Sequence, residues 1–250
     1  MFWKNKIVDC AGKGKPLGFK MHAVSNMEKY RADTFYTKEP ETLVWIDGFK
    51  PNSIMLDIGA NIGVYSLYCA KTKPTIHVYA FEPLRENFTR LVDNITLNGL
   101  SNITPFNEAM GKCSMLAKFF VKSSGVGDSG SQLHAPIDEN GEKIKAECER
   151  QVLTTSFDRF VEMIPNKRPI YLKIDVDGHE MDVLEGISFH APSLEGVLIE
   201  VNAHKTPIST VTGIMKRWGL VPDARINHVK PHSSERRGGN PVNIVFTRPY

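Results

Sequence analysis

Asp57 closes the apolar run Ile54-Met55-Leu56 and opens a turn built on Gly59 and Gly63. Glu82 closes a second run, Ile76 to Phe81, 25 residues beyond Asp57. An acidic side chain at the end of a second strand accepts hydrogen bonds from both hydroxyls of a ribose. Gly59 lets the backbone turn sharply and lets a ligand lie close against the main chain. Nicotinamide and S-adenosylmethionine (SAM) cofactors both carry an adenosyl ribose, so Glu82 alone does not choose between them. The turn does in part. A dinucleotide site needs GxGxxG to seat a pyrophosphate, whereas Gly59-Ala60-Asn61-Ile62-Gly63 lacks the middle glycine. A cofactor without pyrophosphate is favoured over a nicotinamide.

Positioning these residues requires alternating strands and helices. Val64, Leu67 and Tyr68 recur at helical spacing after the glycine turn, whose helix is expected to point free N–H groups above the sheet. Thr75–Phe81 reads as the second strand. Pro83 suits the first position of the next helix, with Leu84, Phe88, Leu91, Val92 and Ile95 as its stripe and Asn98-Gly99 as its stop. Ile103–Phe106 is a third strand, running into Asn107 and Glu108. This order demands a parallel, doubly wound sheet whose ligands sit beyond the carboxyl ends of its strands. Before it, residues 1–50 read as a cap, with a strand at Met21–Val24 and a helix over Glu41–Phe49. After it, residues 122–150 lose periodicity; the stretch Ser123–Ser131 is rich in glycine and serine and reads as an irregular segment, a candidate lid. Val152–Thr155 is a short strand and Ser156–Ile164 a helix. Ile170–Val176 is a fourth strand, a helix runs through Met181, Leu184 and Ile187, and Gly196–Val201 is a fifth strand. Ile208–Trp218 is helical, and two last strands fall near Ile226–Val229 and Val242–Thr247. They flank a loop that carries Arg236 and Arg237, which either clamp an anion or solvate a hairpin.

The chain has 250 residues, 41% hydrophobic and 24% charged, enough to bury a core without metal or disulfide staples. A net charge of +3 is too mild to argue for nucleic acid. Lysines near the start, among them Lys4, Lys6, Lys13, Lys15 and Lys20, read as a solvated face. Cys10, Cys69, Cys113 and Cys148 form no CxxC pair, which removes the zinc-ribbon reading and fits a reduced compartment. No apolar stretch is long enough to span a bilayer. A cytoplasmic location, free or peripheral to a membrane, is expected.

Taken together, Leu-Asp-Ile-Gly-Ala-Asn-Ile-Gly-Val-Tyr-Ser, then Ala-Phe-Glu-Pro, then Asn-Ile-Thr-Leu-Asn, then Leu-Lys-Ile-Asp-Val-Asp-Gly-His-Glu resembles the FkbM family of SAM-dependent methyltransferases. The resemblance runs in order from about residue 53 to residue 202. It implies an α/β class I SAM-dependent methyltransferase (Rossmann-like) fold over residues 51–250, mostly parallel with a final antiparallel strand. It also implies methyl transfer to oxygen, frequently on sugars, glycans or natural products. In that family's terms Asp57, Gly59, Asn61 and Gly63 frame the amino-acid end of SAM, Glu82 holds the ribose, and Asn107 and Glu108 lie near the adenine. One departure is Thr154-Thr155-Ser156-Phe157-Asp158, where such proteins more often show Thr-Leu-Asp.

In-line displacement at a sulfonium methyl needs the acceptor oxygen held in alignment and relieved of its proton. Asp175, at the end of the fourth strand, is the first candidate base and His179 the second; Asp177 and Glu180 suit the start of the following helix. Asp175 with Glu200 and Asn202 also resembles the three-oxygen arrangement of magnesium-dependent catechol-type O-methyltransferases. A divalent metal there is possible but not favoured, and His204 fits either scheme. A nucleic-acid methyltransferase is a rival, but its Asn/Asp-Pro-Pro-aromatic block is missing. A non-catalytic scaffold on the same fold is a further alternative, opposed by the intact Asp57–Gly63 and Glu82. The expected acceptor is a small molecule or glycan.

Overall fold

The computed structural model describes residues 6–10, 18–138, 141–164, 168–203, 205–228 and 241–249. An antiparallel pair, β1 (Ile7–Cys10) and β2 (Phe19–His22), precedes three helices, α1 (Asn26–Asp33), α2 (Phe35–Lys38) and α3 (Pro40–Asp47). Next come β3 (Ile54–Ile58), α4 (Val64–Thr72), β4 (His77–Phe81), α5 (Arg85–Leu97) and β5 (Ile103–Phe106). Four strands follow, β6 (Ala109–Met110), β7 (Met115–Val121), β8 (Gln132–Leu133) and β9 (Cys148–Thr155). The chain then runs through α6 (Phe157–Met163), β10 (Ile170–Ile174), α7 (Glu180–Glu185), β11 (Leu194–Val201) and α8 (Ile208–Arg217). It ends with β12 (Val221–Pro222), α9 (Ala224–Asn227) and β13 (Val242–Thr247).

The main sheet has seven strands in the order β12-β13-β11-β10-β3-β4-β5. The five from β11 to β5 are mutually parallel, and β13 pairs antiparallel with β11. The expected mostly parallel sheet with an antiparallel last strand is what forms. Side chains alternate between faces along each strand. Ile54, Leu56 and Ile58 of β3 therefore enter one core with α6, α7 and α8, while Met55 enters the other with α3, α4 and α5. A strand buried on both faces explains why 54–58 reads as continuous apolar sequence around one aspartate.

The structure corrects several expectations. Residues 122–150 are not simply irregular: β8 and the first residues of β9 lie there, in a second sheet of order β6-β9-β7-β8. Its strand β7 buries Ala117, Phe119 and Val121 at period two over a small separate core with Leu84, Ala109 and Leu133. The helix after Glu82 begins at Arg85, capped by Leu84 in an extended conformation, so Pro83 belongs to the turn before it. Ile226 lies in α9, and the strand beside β13 is Val221–Pro222 instead. Val229, His204 and the loop with Arg236 and Arg237 lie outside the described residues.

The N-terminal helices are tied to the sheet domain by specific contacts. Ser25 and Glu28 form a reciprocal capping box at the start of α1. Glu28 is fully buried, and Arg90 of α5 meets its carboxylate at 2.6 Å. Trp45 and Ile46 of α3 share a core with Met55 and Leu67. Among the described residues, no helix is long and apolar enough to cross a membrane.

Candidate active site

The site follows from the register of the parallel strands. Phe106, Phe81, Ile58, Ile174 and Ile199 are paired across five neighbouring strands. One residue further along, the same row reads Asn107, Glu82, Gly59, Asp175 and Glu200. The carboxylates of Glu82, Asp175 and Glu200 thus share one face and one edge of the sheet. There they line an open cavity of about 160 Å³ with Gly59, Ala60, Asn61, Asp177 and His179.

The turn below the cavity is bound to itself. The N–H groups of Gly59 and Ala60 both donate to the Phe81 carbonyl at 3.0 and 2.9 Å, and Gly63 N–H donates to Ala60 at 2.8 Å. Asn61 N–H donates to Glu82 Oε2 at 2.8 Å, and Ile62 N–H to the Asn61 side chain at 2.9 Å. The N–H groups of residues 59–63 are therefore used within the fold, because this turn must hold Glu82 and close on β4. Gly59 has φ 82°, and a Cβ there would stand 1.9 Å from the Asp175 carbonyl oxygen, so the β3 turn and the β10 turn touch through backbone alone.

Glu82 is buried and central. Its two oxygens accept from Leu84 N–H and Asn61 N–H, both at 2.8 Å. Burial pushes its pKa up to about 7 despite those two hydrogen bonds. Asn107 Nδ2 donates to the carbonyls of Glu82 and Pro83 at 2.9 and 3.1 Å, fixing the turn from outside the cavity. Glu108 does not line the cavity.

Asp57 and Gly63 also lie behind the wall rather than on it. Asp57 is 1% exposed and accepts from Ser66 Oγ of α4 at 2.6 Å, with Lys173 Nζ 3.5 Å away. Gly63 lies against α5, where a Cβ would come 2.4 Å from Leu91 Cδ1.

The other end of the cavity is held by charge. Lys173, 1% exposed, reaches Asp175 Oδ2 at 3.0 Å and lies 5.2 Å from the centre of the Tyr65 ring. Burial alone would lower the Lys173 pKa, but Asp175, Asp57 and Glu39 raise it. Burial alone would raise that of Asp175, but Lys173 and Lys38 hold it below the usual carboxylate range. Among the described residues Glu200 has no such partner; burial, then Asp175, Glu39 and Asp177, push it up to about 9. Tyr65 donates to the buried Glu39 at 2.7 Å, and its own pKa lies well above the ordinary value because it is buried.

His179 lines the cavity, yet both its ring nitrogens have neighbours. Nδ1 lies 3.2 Å from Asp182, and Nε2 accepts from Leu133 N–H at 3.1 Å with Gln132 Oε1 at 2.9 Å. The same strand β8 is joined to Asp177, whose carbonyl accepts from Gln132 Nε2 at 2.9 Å and whose carboxylate accepts from Gly130 N–H at 2.7 Å. On the opposite side Asp128 O accepts from Asn61 Nδ2 and Asn87 Nδ2, and Gly127 O accepts from Arg31 Nε. Asp128–Ser131 therefore bridges the cavity between the β3 turn and the start of α7.

Sequence reasoning missed Lys173, Arg31, Lys38 and Tyr65, all on the cavity wall. Lys173 carried a signal, being charged within the wholly buried strand Ile170–Ile174. Arg31 and Lys38 sit in polar helices of the cap, where nothing in the pattern marks them. Asn202 is buried and faces a separate small cleft with Glu180, Glu200 and Lys205. Among the described residues, no group of three or more His, Cys, Asp or Glu is arranged to hold a metal ion. Asp175 is engaged by Lys173 instead.

Strand order, the last antiparallel strand and the acidic residue closing the second parallel strand together define a class I methyltransferase fold. Residues 57–219 match the methyltransferase FkbM domain, and the chain belongs to that family. It is 28% identical over 184 residues to Methyltransferase 1 of Beauveria bassiana, covering 69% of this chain and 74% of that one. It is 31% identical over 157 residues to the hexuronic acid methyltransferase AglP of Haloferax volcanii, covering 62% of this chain and 59% of that one. Among solved structures, the precorrin-6y C5,15-methyltransferase of Geobacter metallireducens aligns with a TM-score of 0.46 at 12% identity, over 84% of this chain and 87% of its own.

Proposed function

We propose that the protein is a SAM-dependent O-methyltransferase acting on a hydroxyl of a sugar, glycan or related small molecule. Glu82 carries this reading. Each of its oxygens accepts one backbone N–H, which leaves each with further acceptor capacity at the cavity wall. That donor-hungry carboxylate fits the two hydroxyls of an adenosyl ribose. Bound SAM would supply an electrophilic methyl group on a sulfonium. Glu82 would hold its ribose, with Asn61 N–H and Asn107 keeping the Glu82 carboxylate and its turn in place.

Asp175 is the base of this proposal. Its low pKa keeps it ionised at neutral pH, able to orient an acceptor hydroxyl and take its proton. His179 is less suited, because Leu133 N–H occupies Nε2 and Asp182 faces Nδ1. The likeness to a hexuronic acid methyltransferase supports a sugar acceptor. Exposed free thiols at Cys113 and Cys148 support a reduced, cytoplasmic setting.

Calorimetric titration with SAM tests the reading. Saturable binding to the wild type, none with NAD, and a loss of about tenfold or more in Glu82→Ala are expected, since hydrogen bonds to a charged group contribute about 1.5–3 kcal/mol. A folded wild type that binds no SAM overturns it. Formation of S-adenosylhomocysteine in the presence of uronic-acid glycans or their neutral counterparts then tests the acceptor class.

A further inference from the structure

The cavity carries two cations that the methyl-transfer chemistry above does not use. Arg31 of α1 and Lys38 of α2 both line it, and both precede residues 57–219 of the family domain. Arg31 uses Nε to reach the Gly127 carbonyl at 2.8 Å, and its Nη groups have no hydrogen-bond partner among the described residues. A guanidinium has five N–H donors, so four remain to be satisfied. The positive charge of Arg31 is felt by both Glu82 and Asp175, which places it over the middle of the row of strand ends. Lys38 is felt by Asp175 and Glu200 at the other end.

Both cations favour the ionised forms of the cavity's carboxylates from a distance, but the direct partners of those carboxylates are other groups. Glu82 is held by two backbone N–H groups, Asp175 by Lys173, and Lys38 touches Glu39 at the rim. A planar fork of free donors on a cavity wall is the arrangement that binds a carboxylate bidentately, and Lys38, paired with Glu39 on the same wall, adds positive charge. We propose that Arg31, supported by Lys38, forms a carboxylate-binding subsite that the N-terminal cap adds to the methyltransferase cavity.

This rests on the SAM reading, and two carboxylates are chemically equivalent here: that of the cofactor's amino-acid end, and that of an acidic acceptor such as a uronic acid. The test compares S-adenosylhomocysteine with 5′-methylthioadenosine, which keeps the nucleoside and lacks the amino acid. It also compares glucuronate with its neutral methyl ester, titrated into the complex with S-adenosylhomocysteine. The variants are Arg31→Ala, Lys38→Ala and Arg31→Gln, the last of which keeps an N–H for the Gly127 carbonyl without the charge. Thermal melts check that each variant folds.

If the cofactor's carboxylate is bound, both Arg31 variants weaken S-adenosylhomocysteine about tenfold, Lys38→Ala weakens it less, and methylthioadenosine is unchanged. If the acceptor's is bound, both nucleosides are unchanged and the preference for glucuronate over its ester disappears. Equal weakening of both nucleosides shows that Arg31 only supports the loop at Gly127, and overturns the proposal. Unchanged nucleoside binding, with no preference for glucuronate in the wild type or none lost in the variants, overturns it too. A wild type that binds neither nucleoside overturns the SAM reading itself, and the subsite with it.

Discussion

The two ends of the cavity are built in opposite ways. At the Glu82 end a single carboxylate is fixed by main-chain donors, Asn61 N–H and Leu84 N–H, and by the Asn107 clamp on the turn behind it. At the Asp175–Glu200 end the carboxylates are balanced by side chains, with Lys173 shared between Asp57 and Asp175 and, among the described residues, nothing comparable beside Glu200. Backbone donors stay in place whatever the protonation state, so the first end is a rigid recognition site. The second end depends on charge, and a proton or a lost lysine changes it. On the proposed function, the first end would recognise the nucleoside and the second would take the proton of a hydroxyl.

Gly59 joins the two ends, and the largest effect is expected there. Gly59→Ala puts a methyl 1.9 Å from the Asp175 carbonyl oxygen at a left-handed φ, so neither turn keeps its place. A loss of more than about 4 kcal/mol in urea unfolding, or no folded protein, is expected. Gly63→Ala meets only the tip of Leu91 and should cost less, although its φ is also positive. Equal stability losses would break the claim that the two ends meet through backbone. Next in size is Lys173→Met. Asp57, 1% exposed, would lose its cation, and removing one partner of a buried pair costs about 3–5 kcal/mol. The same change should leave binding of methylthioadenosine to the Glu82 end nearly unaltered at temperatures where the variant is folded. Coupled loss at both ends would show that they are one unit.

This division also explains what could be read from the sequence. The parallel core was legible because β3, β4, β5, β10 and β11 are short apolar runs that each end in a polar residue. Register brings four polar residues, Asn107, Glu82, Asp175 and Glu200, level with one another and with Gly59 after β3. The small sheet was not legible: β9 spends Cys148-Glu149-Arg150-Gln151 on a solvent-facing edge, so half its length looks like a loop. Its partner β7 does alternate at Ala117, Phe119 and Val121, a period-two signal that was there to be found. Asp57 has the same sequence setting as Glu82 but points beneath the cavity, since it sits one residue inside the strand rather than beyond it. Arg31 and Lys38 reach the site through tertiary docking of polar helices, which no local pattern encodes.

The smallest expected effect isolates Glu200. A carboxyl whose pKa is higher folded than unfolded binds its proton more tightly in the native state, so stability falls as pH rises between the two values. For Glu82 that window runs from the ordinary carboxylate range to about 7, and for Glu200 to about 9. Asp175, with its lowered pKa, contributes stability that is lost only in acid. Lys38 and Lys173, both raised, act above this range, and the buried thiols of Cys10 and Cys69, raised from an ordinary value near 9, begin to act only at its upper end. Glu200 is therefore left to dominate the interval from about pH 7 to 9, where one proton changes stability by roughly 1.4 kcal/mol per pH unit at most. Denaturant melts should show the wild type losing of the order of 2 kcal/mol across that interval, and Glu200→Gln losing much less. An unchanged slope in Glu200→Gln would mean that this carboxyl is already ionised at neutral pH. The Asp175 end would then carry one more negative charge, suited to a sulfonium.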